Sequence, residues 1–115
     1  MTKILHNPRC SKSRATLDLI KSKGIEPVVI EYLKDTPSSS ELIDILTMLG
    51  KGPRDIIRRG EAVYKELGLD DPDLNDDVLI EAMVDNPILI ERPIVITNGK
   101  AAIGRPIENV EAILK

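Results

Sequence analysis

Aromatic side chains are almost absent: the 115 residues include no tryptophan, no phenylalanine and only two tyrosines, Tyr32 and Tyr64. An aliphatic core is therefore expected, and no set of exposed rings is available on which nucleic-acid bases could stack. Net positive charge is missing too, since the formal charge is −3, which argues further against a general polyanion binder. Cysteine is reduced to Cys10 alone. That excludes an internal disulfide, a two-cysteine metal clip and a C-x-x-C redox pair, so any thiol chemistry must use one sulfur. No apolar run approaches the length of a transmembrane helix, and Met1-Thr2-Lys3-Ile4-Leu5-His6 lacks the character of a signal peptide. The expected compartment is the cytoplasm, where a lone thiol stays reduced.

What is present is the composition of a soluble globular protein, 42% hydrophobic and 30% charged, in a length that suits one domain over 1–115. The start reads as strand, turn, helix and strand. Lys3 to His6 is short and apolar-centred, Asn7 to Ser11 is a loop, and Ser11 to Lys23 carries Ala15, Leu19 and Ile20 at helical spacing before Gly24. Pro27 to Tyr32 is a β-branched run of the kind found in buried parallel strands. A helical insert over about 38–86 follows. Within it Ser38 and Glu41 have capping-box spacing, and Leu42, Ile45, Leu46 and Leu49 fall on one helical face before Gly50. Arg54 to Arg59 and Glu61 to Leu67 read as short helical turns, and Asn75 as the cap of a helix to about Asp85, ended by Asn86-Pro87.

Strand character returns in Pro93 to Thr97 and Lys100 to Ile103, which flank Asn98-Gly99, the strongest two-residue hairpin signal. Pro106 can then open a last helix with Ile107, Val110, Ile113 and Leu114 on its apolar side. A β-α-β half, a helical insert and a β-β-α half predict a thioredoxin-like α/β fold: a four-stranded mixed sheet flanked by helices. Topology of this kind speaks to fold more than to function.

The chemistry centres on Cys10, placed at the N-terminus of the first predicted helix with Arg9, Lys12 and Arg14 close by. Helix amide groups and cations both favour thiolate over thiol. A free cysteine can also be a small buried hydrophobe, but this one lies in a polar loop, so it reads as a nucleophile. The phosphate loop of tyrosine-phosphatase-like enzymes needs an arginine where this chain has Thr16, and its loop glycines are lacking. Cys10-Ser11-Lys12-Ser13 does match the short C-x-x-S of monothiol glutaredoxins.

The single histidine, His6, can tune the thiolate or can be an ordinary strand-end residue satisfied by backbone groups. Ser13 can donate to the sulfur or serve as a local backbone partner. Two near-identical pentads, Ile90-Glu91-Arg92-Pro93-Ile94 and Ile103-Gly104-Arg105-Pro106-Ile107, bracket the hairpin. In a thioredoxin-like layout the loop entering the third strand passes beside the active cysteine, usually with a cis-proline, and Pro93 occupies that place. Arg92 and Arg105 then point toward Cys10; the alternative is ordinary solvated arginine. Of Arg58 and Arg59 in the insert, one is a candidate and the other is expected to face water. Converging guanidinium groups around a thiolate would suit a small tetrahedral oxyanion.

Taken together, His6-Asn7-Pro8-Arg9-Cys10-Ser11-Lys12-Ser13-Arg14, Ile57-Arg58-Arg59, Leu67-Gly68-Leu69, Asn86 to Ile94 and Gly104-Arg105-Pro106 resemble the glutaredoxin-coupled arsenate reductase family over nearly the whole chain. The resemblance implies that Cys10 is the nucleophile, that Arg58, Arg92 and Arg105 bind the oxyanion, and that His6, Asn7, Ser13, Arg14 and Pro93 support the site. It implies attack of the thiolate on arsenate, with glutathione as co-substrate and glutaredoxin as partner, release of arsenite, and neither a metal nor a bound cofactor. A monomer without nucleic-acid or membrane partners is expected. Two other readings compete: a non-catalytic regulator like the Spx proteins that bind RNA polymerase, for which Ser13 stands in place of a second cysteine, and a monothiol glutaredoxin-like transferase. The latter leaves three separate arginines unexplained.

Overall fold

The computed structural model describes residues 1–114. Two compact units divide the chain, one built from Met1–Asp35 and the chain from Arg92 on, the other from Thr36–Glu91.

The first unit holds a four-stranded sheet of β1 (Thr2–Leu5), β2 (Val28–Ile30), β3 (Ile94–Thr97) and β4 (Lys100–Ile103), in the order β2-β1-β3-β4. β1 runs parallel to β2 and antiparallel to β3, and β3 pairs antiparallel with β4. The helix α1 (Ser11–Ser22) makes the crossover from β1 to β2, and α6 (Glu108–Ile113) follows β4. The thioredoxin-like mixed sheet flanked by helices is therefore the architecture. Ile4, Ile20, Val95, Ala102 and Val110 form one buried cluster, which joins β1, α1, β3, β4 and α6; Leu17, Leu19, Ile25, Ile113 and Leu114 pack against it. Each fully buried aliphatic side chain of this kind contributes about 1.5–3 kcal/mol relative to exposure.

The strand β2 departs from the buried run expected of Pro27 to Tyr32. Val28 and Val29 are 43% and 42% exposed. The strand is the outer edge of the sheet, paired only with β1, and contributes nothing to the cluster beneath α1 and α6. Its β-branched residues thus reflect strand propensity more than burial. The core is aliphatic except that both tyrosines are inside it, Tyr32 at 1% and Tyr64 at 5% exposure.

The second unit contains α2 (Ser39–Leu49), α3 (Pro53–Ile56), α4 (Ala62–Glu66), α5 (Asp76–Asp85) and a 3₁₀ turn at Pro87–Leu89. Ser38 caps α2 with the full reciprocal box to Glu41, and Gly50 ends it at φ 68°, a left-handed conformation that glycine adopts without a Cβ penalty. The Asn75 side chain accepts from the Val78 N–H to cap α5, which packs on α2, α3 and the 3₁₀ turn. The helical turn expected over Arg54 to Arg59 stops early. Ile57 is extended (φ −78°, ψ 134°) and bridges Ile90, with the Arg58 N–H on the Leu89 carbonyl at 2.7 Å and the Glu91 N–H on the Ile56 carbonyl at 2.9 Å. Bonds to a distant segment outcompete local helix here, a preference that no local pattern announces. Among the described residues no helix is long and apolar enough to cross a membrane.

Candidate active site

Cys10 is half-buried and stands one residue before α1 in an extended conformation, φ −95° and ψ 121°. Its N–H donates to the Asn7 carbonyl at 3.0 Å and its own carbonyl accepts from the Arg14 N–H at 3.0 Å, so its backbone is fixed from both sides. Its side chain makes no capping bond, which leaves the sulfur beside the first amide groups of a twelve-residue helix.

The loop that carries the sulfur is braced by its own residues. The Ser13 hydroxyl, fully buried, accepts from the Asn7 N–H at 3.1 Å and lies 2.7 Å from His6 Nδ1. Asn7 Oδ1 accepts from the Arg9 N–H at 3.0 Å, and Arg14 Nη1 donates to the Pro8 carbonyl at 2.9 Å. Burial lowers the His6 pKa below its ordinary value, opposed by the Glu31 carboxylate and assisted by the Arg14 and Lys21 charges. The neutral ring, favoured by that burial, shares one proton with the Ser13 hydroxyl across the 2.7 Å hydrogen bond. Ser13 thus has partners within the loop, and His6 adds a bond from its own N–H to the Ile30 carbonyl at 2.8 Å, which ties the loop to β2.

The hairpin supplies the cations. Asn98 (φ 53°) and Gly99 (φ 73°) both take positive φ, the two-residue turn that sets the register Thr97↔Lys100 through Ile94↔Ile103. Continued outward, that register sets Pro93 opposite Gly104 and Arg92 opposite Arg105. The contacts follow it: the Gly104 N–H donates to the Pro93 carbonyl at 2.9 Å, and Arg105 Nε donates to the Arg92 carbonyl at 2.8 Å. Arg105 Nη2 then reaches Cys10 Sγ at 3.3 Å. The Arg92-Pro93 and Arg105-Pro106 peptide bonds are both cis. Among the described residues Arg105 is the side chain whose donor is seen on the sulfur, and Arg92 holds Arg105 by its backbone.

Arg58 belongs to the second unit, where Nη2 is 3.4 Å from Glu61 Oε2 and Nη1 is buried without a hydrogen-bond partner. Arg59 is exposed.

One contributor escaped sequence reasoning. Gly104 is buried, and a Cβ placed on it would lie 2.7 Å from Pro93 Cγ and 2.7 Å from Thr16 Oγ1. Thr16 is itself held, its hydroxyl donating to the Lys12 carbonyl at 2.9 Å. The absence of a side chain at position 104 is what lets the Arg105 segment close onto α1 and Pro93. The signal was in the pentads, which differ mainly in having Glu91 in one and Gly104 in the other.

A thiol at a helix N-terminus with a guanidinium donor on its sulfur is suited to nucleophilic attack on an anion. The ArsC family model matches residues 5–113 of the chain. An arsenate reductase of Neisseria meningitidis serogroup A is 55% identical over 113 residues, 97% of each chain. The Escherichia coli protein YfgD is 54% identical, covering 97% of this chain and 95% of its own. The solved arsenate reductase from Vibrio cholerae superposes with a TM-score of 0.92 at 49% identity, covering 96% of this chain and 95% of that one. With this family model spanning both pentads and the Cys10 loop, the chain belongs to the ArsC family.

Proposed function

We propose that the protein is an arsenate reductase in which Cys10 is the nucleophile and glutathione and glutaredoxin supply the remaining thiols. The observation that carries the reading is the 3.3 Å contact from Arg105 Nη2 to Cys10 Sγ, with Arg105 itself moored to the Arg92 carbonyl. A guanidinium held on a single sulfur offsets the repulsion between an anionic nucleophile and an anionic substrate. The names of the similar proteins support the same substrate.

In this mechanism the Cys10 sulfur attacks arsenic and one arsenate oxygen leaves as water, giving a sulfur–arsenic(V) adduct. Arg105 and Arg92 bind the remaining oxygens. The glutathione thiol displaces a second oxygen as water. The glutaredoxin thiol then attacks the glutathione sulfur, and the electron pair of that sulfur–arsenic bond stays on arsenic. Arsenic falls from +5 to +3 while a glutathione–glutaredoxin disulfide forms. Water cleaves the last sulfur–arsenic bond, returning the Cys10 thiol and releasing arsenite. A single protein cysteine suffices because the two electrons come from outside thiols. The enzyme acts as a cytoplasmic monomer without bound cofactor.

The test is arsenate-dependent NADPH oxidation in a coupled system of glutathione, glutaredoxin and glutathione reductase. Wild-type protein is expected to turn over and Cys10→Ser to be inactive. An inactive wild type overturns the substrate assignment, and deglutathionylation of a model disulfide without any response to arsenate would favour a thiol transferase.

A further inference from the structure

The second unit carries a groove that takes no part in the cysteine chemistry. Leu67 and Leu69, on the chain leaving α4, and Val78 and Ala82, on α5, line a hollow of about 560 Å³. Two of these apolar side chains stand largely in water, Leu67 at 50% and Val78 at 42% exposure. The helix is two-sided: Leu79, Ile80 and Met83 are buried, while Asp77, Glu81 and Asp85 rim the hollow. The three acids recur every four residues, so they make a row about 12 Å long beside Val78 and Ala82. Like charges at this spacing repel and weaken a helix, so the row is a cost to folding. Little on the chain offsets it. Between Lys65 and Arg92 lie nine acidic residues and no lysine, arginine or histidine. Among the described residues none of the three acids forms an ion pair, and Glu81 accepts a bond from the Ser39 hydroxyl at 3.4 Å.

The sign of this field selects the occupant. Nucleic acid and anionic lipid are repelled. A metal ion does not fit, because among the described residues no three acidic, histidine or cysteine side chains converge to hold one. A second copy would have to present its own basic part, since eleven of the sixteen lysines and arginines lie outside 36–91. Such a contact joins two different surfaces and builds rings or open filaments, whereas a separate partner fills the groove one to one. We propose that this groove docks an amphipathic helix of another protein, with its apolar residues seated between Leu67 and Val78 and its lysines or arginines facing Asp77, Glu81 and Asp85. A helix lying along α5 repeats its own side chains at the same four-residue spacing, so basic residues on one of its edges meet the acids in register while its apolar edge covers the hollow. The opposed charges steer the encounter and fix that register. The proposal is independent of the arsenate reading.

The probe is a peptide of about 16 residues, long enough to form a helix, with leucines along one face and lysines beside them. It is titrated into ¹⁵N-labelled full-length protein. The amide signals of Leu67, Leu69, Val78, Ala82 and Asp85 are expected to shift along one saturating curve. Val78→Ser removes an apolar seat at an exposed position and is expected to weaken binding about fivefold or more. Glu81→Gln combined with Asp85→Asn keeps Asp77 in the first turn of α5, where its charge favours the helix, and is expected to weaken binding about fivefold. Added salt is expected to weaken binding less in that double variant than in the wild type. A peptide of the same composition in scrambled order, with no apolar face, is expected to bind roughly tenfold more weakly. Equal binding of the two peptides would reduce the contact to charge alone and overturn the proposal. Shifts confined to other parts of the chain, or none at millimolar peptide, would also overturn it. Self-association of the protein that Val78→Ser abolishes would make a second copy the occupant and overturn the assignment to another protein.

Discussion

Arg105 is bound at two of its nitrogens, Nε on the Arg92 carbonyl at 2.8 Å and Nη2 on Cys10 Sγ at 3.3 Å. The side chain therefore reads the backbone of one pentad while serving the sulfur from the other. A lysine offers a single ammonium and cannot span both positions. Arg105→Ala and Arg105→Lys are both expected to lower kcat/KM for arsenate by roughly 100-fold or more, the loss typical of removing a preorganised donor at a developing charge. Recovery of wild-type kinetics by lysine would show that only net charge matters.

Gly104 carries a steric prediction. In Gly104→Ala the new methyl group meets the Pro93 ring and the anchored Thr16 hydroxyl, both at 2.7 Å and neither at the end of a flexible chain. The expected cost is about 1–3 kcal/mol in urea unfolding, together with a fall in arsenate kcat/KM because the Arg105 segment is pushed off the sulfur. Unchanged stability and activity would show that the close approach at this position is dispensable.

The buried His6 predicts a pH dependence of known sign. Burial lowers its pKa in the folded state, so near and below the ordinary histidine value the unfolded chain binds more protons than the folded one. Its contribution to stability is therefore complete well above pH ~6.5 and is lost as pH falls below that value. Comparing urea midpoints of wild type and His6→Gln from pH ~7.5 to ~5 isolates this contribution from that of the carboxylates, which both proteins share. The wild type is expected to lose more stability over that range. Parallel curves would mean that the imidazole is accessible to protons in the folded protein.

Much of the site was legible because it rests on short-range rules. The Asn98-Gly99 turn fixes the register of its hairpin, and that register alone brings Arg92 opposite Arg105 and Pro93 opposite Gly104. The Ser38–Glu41 box and the Asn75 cap were likewise written into local spacing. What was hidden depends on partners remote in sequence. Ile57 leaves its helix to bridge Ile90, and β2 is exposed because of its place at the sheet edge and despite its composition. Ser13 could serve the sulfur or its own loop on sequence grounds; its hydroxyl is engaged with Asn7 and His6. Gly104 stands in a pentad with no local pattern to give it a role, since the Thr16 hydroxyl that demands its missing side chain lies on another element.

The most direct test of the account is the rate of Cys10 alkylation by iodoacetamide at neutral pH across a series of arsenate concentrations. Arsenate is expected to protect the sulfur with a saturating dependence, and Arg105→Ala both to slow the unprotected reaction and to abolish protection. Alkylation that proceeds at one rate with or without arsenate would contradict it.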